Sequence, residues 1–168
     1  MTFNIDIRDQ VLRDIVQEIL NDPTFIEGIG WKKRYFQANE IIFHGGDPSK
    51  SLFFIEEGTL RVTVQVELEN SKNMRPGICD MKAGEIFGEA CFLESGVRNA
   101  SVTAITDGYA VEIDADKLNA YFDANPVKGY LFFKKLLLTI FERLKQDNRR
   151  IESLLAWGFK ANDLIKYL

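Results

Sequence analysis

Between Gly84 and Ser101 the chain reads Gly-Glu-Ile-Phe-Gly-Glu-Ala-Cys-Phe-Leu-Glu-Ser-Gly-Val-Arg-Asn-Ala-Ser, and these residues have the means to hold an anion. A strand ending at Phe87 would meet Gly88, which permits a tight turn and close backbone approach. Glu89 to Leu93 can then form one helical turn, whose first N–H groups have no partner inside it and suit a phosphate. Arg98 opens the next strand and can return to the same place with a rigid fork of donors. Ser101 adds a hydroxyl a little further on. Glu89 is the odd member, because a carboxylate beside a phosphate is repelled unless it has its own task. Accepting a hydrogen bond from a ribose 2′-OH is one such task, and pairing with a neighbouring cation is another.

These residues need a scaffold, and the flanking sequence supplies a β-rich one. Asp9 to Leu20 reads as a helix, with Val11, Leu12, Ile15, Ile19 and Leu20 close to one face, and Asn21-Asp22-Pro23 stops it. From Trp31 the period shortens. Tyr35–Phe36, Ile41–Phe43, Leu52–Ile55, Leu60–Val66, Ile78–Met81, Val102–Ile105 and Tyr109–Ile113 are short apolar or β-branched runs. Between them stand turn signals: Gly45-Gly46-Asp47-Pro48, Glu57-Gly58, Asn70 to Asn73, Lys82 to Gly84 and Asp107-Gly108. Gly46 and Gly58 fall where the backbone needs positive φ. Seven or eight short strands with no long helix among them predict an antiparallel sandwich, barrel or jelly roll.

Helical spacing returns at Asp114, a natural N-cap for a helix to about Phe122, and Pro126 fits the first turn of the next. Leu131, Phe132, Phe133, Leu136, Leu137, Ile140, Phe141 and Leu144 form a stripe too wide for one contact surface. The polar stretch Lys145 to Arg150 separates it from a second, shorter apolar set that runs from Ile151 to Ile165 and includes Trp157. The expected organisation is a helical segment at 1–30, a β domain at 31–125 and helices at 126–168.

Residues 84 to 102 resemble the phosphate-binding cassette of the cyclic nucleotide-binding domain family, found in regulatory subunits of cyclic-AMP-dependent kinase and in catabolite-activator-type regulators. Phe87-Gly88-Glu89 matches the family's Phe-Gly-Glu, Arg98 stands at the expected distance, and Ala100-Ser101 match the small and hydroxyl residues that follow. Upstream, Gly46-Asp47, Leu52-Phe53-Phe54-Ile55 and Gly58 resemble the family's Gly-Asp, apolar strand and Gly, so the likeness spans roughly residues 33 to 125. The resemblance implies a mainly β fold, an antiparallel β-roll of jelly-roll type with N-terminal and C-terminal α-helices. It implies that Glu89 holds the ribose 2′-OH and Arg98 the cyclic phosphate. The backbone at Gly88 and Ala90 and the Ser101 hydroxyl would complete the cradle. Asn99 departs from the pattern: threonine there would favour cGMP, and the ligand expected here is cAMP, with cGMP the other candidate.

Composition bounds the rest. The chain of 168 residues is 46% apolar and 12% aromatic, enough to bury a core without staples. Its net charge of −4 argues against a DNA partner, which calls for a basic face. Two cysteines, Cys79 and Cys91, are too few for a disulfide framework and read as reduced buried thiols. His44 is the only histidine, so a cupin-type metal enzyme is disfavoured and no metal or further cofactor is expected. With no basic-then-apolar start and no apolar run near roughly 18 residues, the expectation is a cytoplasmic protein with no membrane partner. The 24 residues after Leu144 leave no room for a winged helix-turn-helix. The expected role is therefore a non-enzymatic sensor whose ligand moves the C-terminal helices, signalling to an unknown effector protein or a homodimer formed through the C-terminal helix. The alternative is a binding-incompetent copy of the fold that serves as a protein-interaction module, with Glu89 and Arg98 as a mutual pair.

Overall fold

The structure is a computed structural model, and it describes residues 5–64, 66–67, 73–74, 77–92 and 96–161. It begins with helix α1 (Ile5–Leu20), which turns Leu12, Val16 and Ile19 into the core. Those three are spaced by four and three residues, one face of a helix. After Pro23 the described residues form ten strands. They are β1 (Trp31–Phe36), β2 (Ile41–Phe43), β3 (Ser51–Glu57), β4 (Thr59–Thr63), β5 (Val66–Glu67), β6 (Asn73–Met74), β7 (Gly77–Lys82), β8 (Ile86–Phe87), β9 (Ser101–Ala104) and β10 (Gly108–Asp114). A 3-10 turn, Glu89–Phe92, lies between β8 and the run into β9.

Among the described residues the strand pairs are antiparallel, and eight of the strands form two four-stranded sheets ordered β1-β10-β3-β8 and β2-β9-β4-β7. This is the expected jelly roll. The inner faces supply one core: Phe36, Phe53, Ile55 and Phe87 from the first sheet, Leu60, Met81, Val102 and Ala104 from the second. The alternate residues of β3, Leu52 and Phe54, are also fully buried, so β3 is covered on both sides. Arg13 and Gln17 of α1 reach Glu56 of β3. The helix α2 (Ala115–Ala124) follows β10 directly, and the Asp114 carboxylate caps it by accepting from Lys117 N at 2.9 Å. Helix α3 (Pro126–Ala161) begins at the proline, where a missing N–H costs nothing.

Several boundaries differ from those the sequence predicts. The run Leu60–Val66 is not one strand: β4 ends at Thr63, and β5 pairs with β6 in a small separate ribbon. Asn73, read as turn, belongs to that ribbon. The first apolar set beyond Pro126 and the second as far as Phe159 lie on one helix of 36 residues. Lys145 to Arg150 contains no proline or glycine, and its Lys, Gln and Arg are good helix formers. The i,i+3 pairs Glu142–Lys145 and Asp147–Arg150 support continuity as well. Leu164 and Ile165 of the second set, and Leu93 of the predicted helical turn, lie outside the described residues. The chain divides into two compact units between Gly129 and Tyr130. Among the described residues no helix is long and apolar enough to cross a membrane.

Candidate phosphate-binding site

Gly88 turns the chain from β8 into the 3-10 turn with φ of 82°, as Gly46 and Gly58 turn theirs with 91° and 97°. At Gly88 the absence of a side chain is also a matter of space. A Cβ there would stand 2.6 Å from Arg98 Nη1 and 3.1 Å from the Ser51 carbonyl oxygen. Phe87, one residue earlier, is buried and stacks on Phe53 with ring centres 4.8 Å apart. The Phe-Gly pair therefore anchors the turn in the roll and leaves the Arg98 head room beside it.

Arg98 reaches this place from a stretch just before β9, not from the strand itself, which starts at Ser101. Its backbone is gripped by the loop ahead of β3: Gly46 N donates to Arg98 O at 2.8 Å, and Arg98 N donates to Asp47 O at 2.9 Å. The neighbouring Val97 forms a bridge with Pro48. Gly46 and Asp47 thus fix the arginine's backbone, a task that the likeness alone did not assign.

The Arg98 side chain is only 6% exposed. Its Nη1 donates to the carbonyls of Ser51 at 2.8 Å and Gly88 at 3.0 Å, and Nη2 donates to Ser51 Oγ at 3.1 Å. The guanidinium carbon lies 4.3 Å from the centre of the Phe43 ring and 5.3 Å from that of Phe53. A guanidinium has five N–H donors. Three are used by these bonds, and Nε is buried with no hydrogen-bond partner among the described residues. Nε and the adjacent hydrogen of Nη2 form the side edge of the guanidinium, a pair of parallel donors matched to two oxygens of one phosphate. Burial pushes the pKa of Arg98 down, opposed by the charges of Glu112, Glu89 and Asp47, and the group remains a cation.

The other expected site residues are placed as follows. Glu89, half-buried, opens the 3-10 turn, and Ala90 behind it is buried. Glu89 is next to Gly88, and its charge acts on Arg98. Asn99 is exposed and Ala100 half-buried. The Ser101 hydroxyl is engaged elsewhere, accepting from Gly45 N at 2.9 Å, so in this structure it braces the same loop that holds Arg98. Cys91 is a half-buried thiol that burial pushes up to about 11, and it stays protonated at neutral pH. Ser51, Phe43, Phe53 and Glu112 were not picked out as site residues. Phe43 and Phe53 are legible only as members of apolar strand runs, and Ser51 and Glu112 carry no local motif. Among the described residues no group of three or more His, Cys, Asp or Glu side chains could hold a metal ion.

Residues 33–125 match the family described as the cyclic nucleotide-binding domain, and the chain belongs to that family. The human potassium/sodium hyperpolarization-activated cyclic nucleotide-gated channel 3 is 29% identical over 113 residues, which is 66% of this chain and 13% of the channel. Cyclic GMP-binding protein C of Dictyostelium discoideum is 31% identical over 124 residues, covering 70% of this chain and 5% of that protein. The chain thus spans a small part of the length of these relatives. A cyclic nucleotide-binding domain from Methylobacillus flagellatus KT shares the fold with a TM-score of 0.66 at 20% identity, over 87% of this chain and 83% of that one.

Proposed function

We propose that the chain is a cyclic nucleotide sensor that binds its ligand at Arg98, Gly88, Glu89 and Ala90 and catalyses no reaction. The observation that carries this reading is the buried Arg98 with an unused Nε edge. Burying an unsatisfied donor costs about 1–3 kcal/mol, more for a charged group. An anion with two oxygens on that edge offsets the cost, and the cyclic phosphodiester of a nucleotide provides them. Glu89, one residue past Gly88, is within the same turn and is the acceptor suited to a ribose 2′-OH. We take adenine as the base, and Asn99, which stands where threonine would favour guanine, does not by itself decide between the two. One relative is named for cyclic GMP, which makes that nucleotide the proper comparison.

The output in this reading is helix α3, which the ligand would influence through α2 and the Asn125-Pro126 junction. Its apolar residues fall into a heptad register: Tyr130, Phe133, Leu137, Ile140, Leu144, Ile151 and Leu154 recur at alternating three and four, with Asp147 the one polar member. Leu137, Leu144, Ile151 and Leu154 are 53%, 51%, 53% and 67% exposed. Such a seam suits a two-stranded coiled coil between copies of the chain.

The test is calorimetric titration of the purified chain with cAMP and cGMP, paired with a thermal-shift assay. Saturable one-to-one binding is expected, tighter for cAMP. Neither heat nor thermal shift with either nucleotide at millimolar concentration would leave the interaction-module alternative in its place.

A further inference from the structure

The Ser51 hydroxyl stands between two charged groups. It accepts from Arg98 Nη2 at 3.1 Å and donates to Glu112 Oε1 at 3.0 Å. The second oxygen of Glu112 faces Lys32 Nζ at 3.3 Å. The row crosses three adjacent strands, β3, β10 and β1, with Lys32 directly opposite Glu112 in the register. Glu112 itself is out of pattern. In β10 it lies two residues from Ala110, a member of the inner core, and it is opposite Phe53, another inner residue. A carboxylate on the inward face of a sheet is costly unless it is well hydrogen-bonded.

We propose that Ser51 and Glu112 are positioning residues for Arg98, fixing the rotation of its guanidinium so that the Nε edge is the one offered to the phosphate. This rests on the reading of Arg98 as the phosphate ligand. A hydroxyl has one hydrogen to give, and an ionised carboxylate can only accept. With that hydrogen committed to Glu112, the lone pairs of Ser51 Oγ are left facing Arg98 Nη2. The Ser51 carbonyl takes Nη1 at the same end of the guanidinium, so one residue grips the end of the fork with two bonds. The side edge is then held in one orientation before ligand arrives, and less freedom is lost on binding.

The experiment compares Ser51→Ala, Ser51→Thr and Glu112→Gln by titration with cAMP, each in the native and the Arg98→Lys background. Ser51→Ala is expected to weaken binding about ten- to 150-fold, the scale of one hydrogen bond to a charged group. Ser51→Thr, which keeps the hydroxyl, should restore affinity to within about twofold, and Glu112→Gln should fall between the two. In the Arg98→Lys background the Ser51→Ala loss should vanish, because the fork it positions is gone. An undiminished loss there, or native affinity in Ser51→Ala, overturns the proposal. Side-chain proton–nitrogen NMR of Arg98 tests the row without any ligand. The Nε–H signal should be sharp in the native chain and should shift and broaden in Ser51→Ala. An unchanged signal overturns the positioning role even if cyclic nucleotides fail to bind, whereas a changed signal with no binding sinks only the ligand assignment.

Discussion

A guanidinium beside two phenylalanine rings is costly to bury, and what surrounds Arg98 explains how it is kept there. Two carbonyls and a hydroxyl take three of its donors, the guanidinium carbon lies over the Phe43 ring, and Gly88 leaves space for Nη1. A substituent on Gly88 would also face the strain of φ at 82°. The carboxylate at position 89 has a separable role. If Glu89 accepts from the ribose, Glu89→Gln weakens cAMP binding, and 2′-deoxy cAMP binds that variant nearly as well as cAMP does. In the native chain the same deletion from the ligand should cost about 1.5–3 kcal/mol, the range for a hydrogen bond to a charged group. Calorimetry on the four combinations reads the coupling. A deoxy penalty that is equal in the native and Gln chains would assign the sugar to another residue.

At the scale of elements, the parts that were legible in the sequence are those with strong local causes. The strand runs at β2 and β3, the Asp114 cap, the proline start of α3 and the positive φ at Gly46 and Gly58 follow from period, capping and glycine geometry. The Phe-Gly-Glu triplet and the spaced arginine were legible for the same reason, since each is a local motif. What escaped was non-local. Ser51 and Glu112 are 61 residues apart and meet only through strand pairing, and the split of Leu60–Val66 depends on a partner ribbon whose two-residue strands carry little pattern of their own. Another non-local cluster ties the helices together within residues 1–129. Asp22, just past α1, accepts from Tyr121 Oη of α2 at 2.7 Å and from Lys128 Nζ of α3 at 2.9 Å, while Lys128 also donates to Tyr121. Hydrogen bonds from Thr24, Tyr121 and Lys128 hold the Asp22 carboxyl well below the usual carboxylate range. A carboxyl with a depressed pKa in the folded state adds stability above its unfolded value, about 3.9, and loses it as pH falls below that. Melting temperature against pH should therefore drop below about pH 4, and Asp22→Asn should lower it at pH 7 and flatten the acid limb. An acid limb of unchanged slope in Asp22→Asn would mean that the cluster contributes nothing to the pH response.

For the molecule as a whole, the sensor reading links a small β-roll to a long helix with an exposed heptad seam. If that seam joins two copies, light scattering gives twice the chain mass for the native protein. Leu137→Glu combined with Leu144→Glu should return it to the monomer mass while circular dichroism keeps its helical signal, because charges at two seam positions cannot be desolvated together. A native chain of monomer mass, or a double variant that stays dimeric, would remove the seam from the mechanism. Either result leaves the nucleotide site standing, since the site lies within residues 1–129. That site is tested most directly by titrating the native chain and Arg98→Lys with cAMP side by side. Lysine keeps the positive charge but lacks the parallel donors of the guanidinium edge. A loss of about 2–5 kcal/mol, roughly 30-fold or more, is expected for the variant. Affinities within about threefold of each other, a difference of less than 1 kcal/mol, would contradict the claim that the Arg98 fork holds the cyclic phosphate.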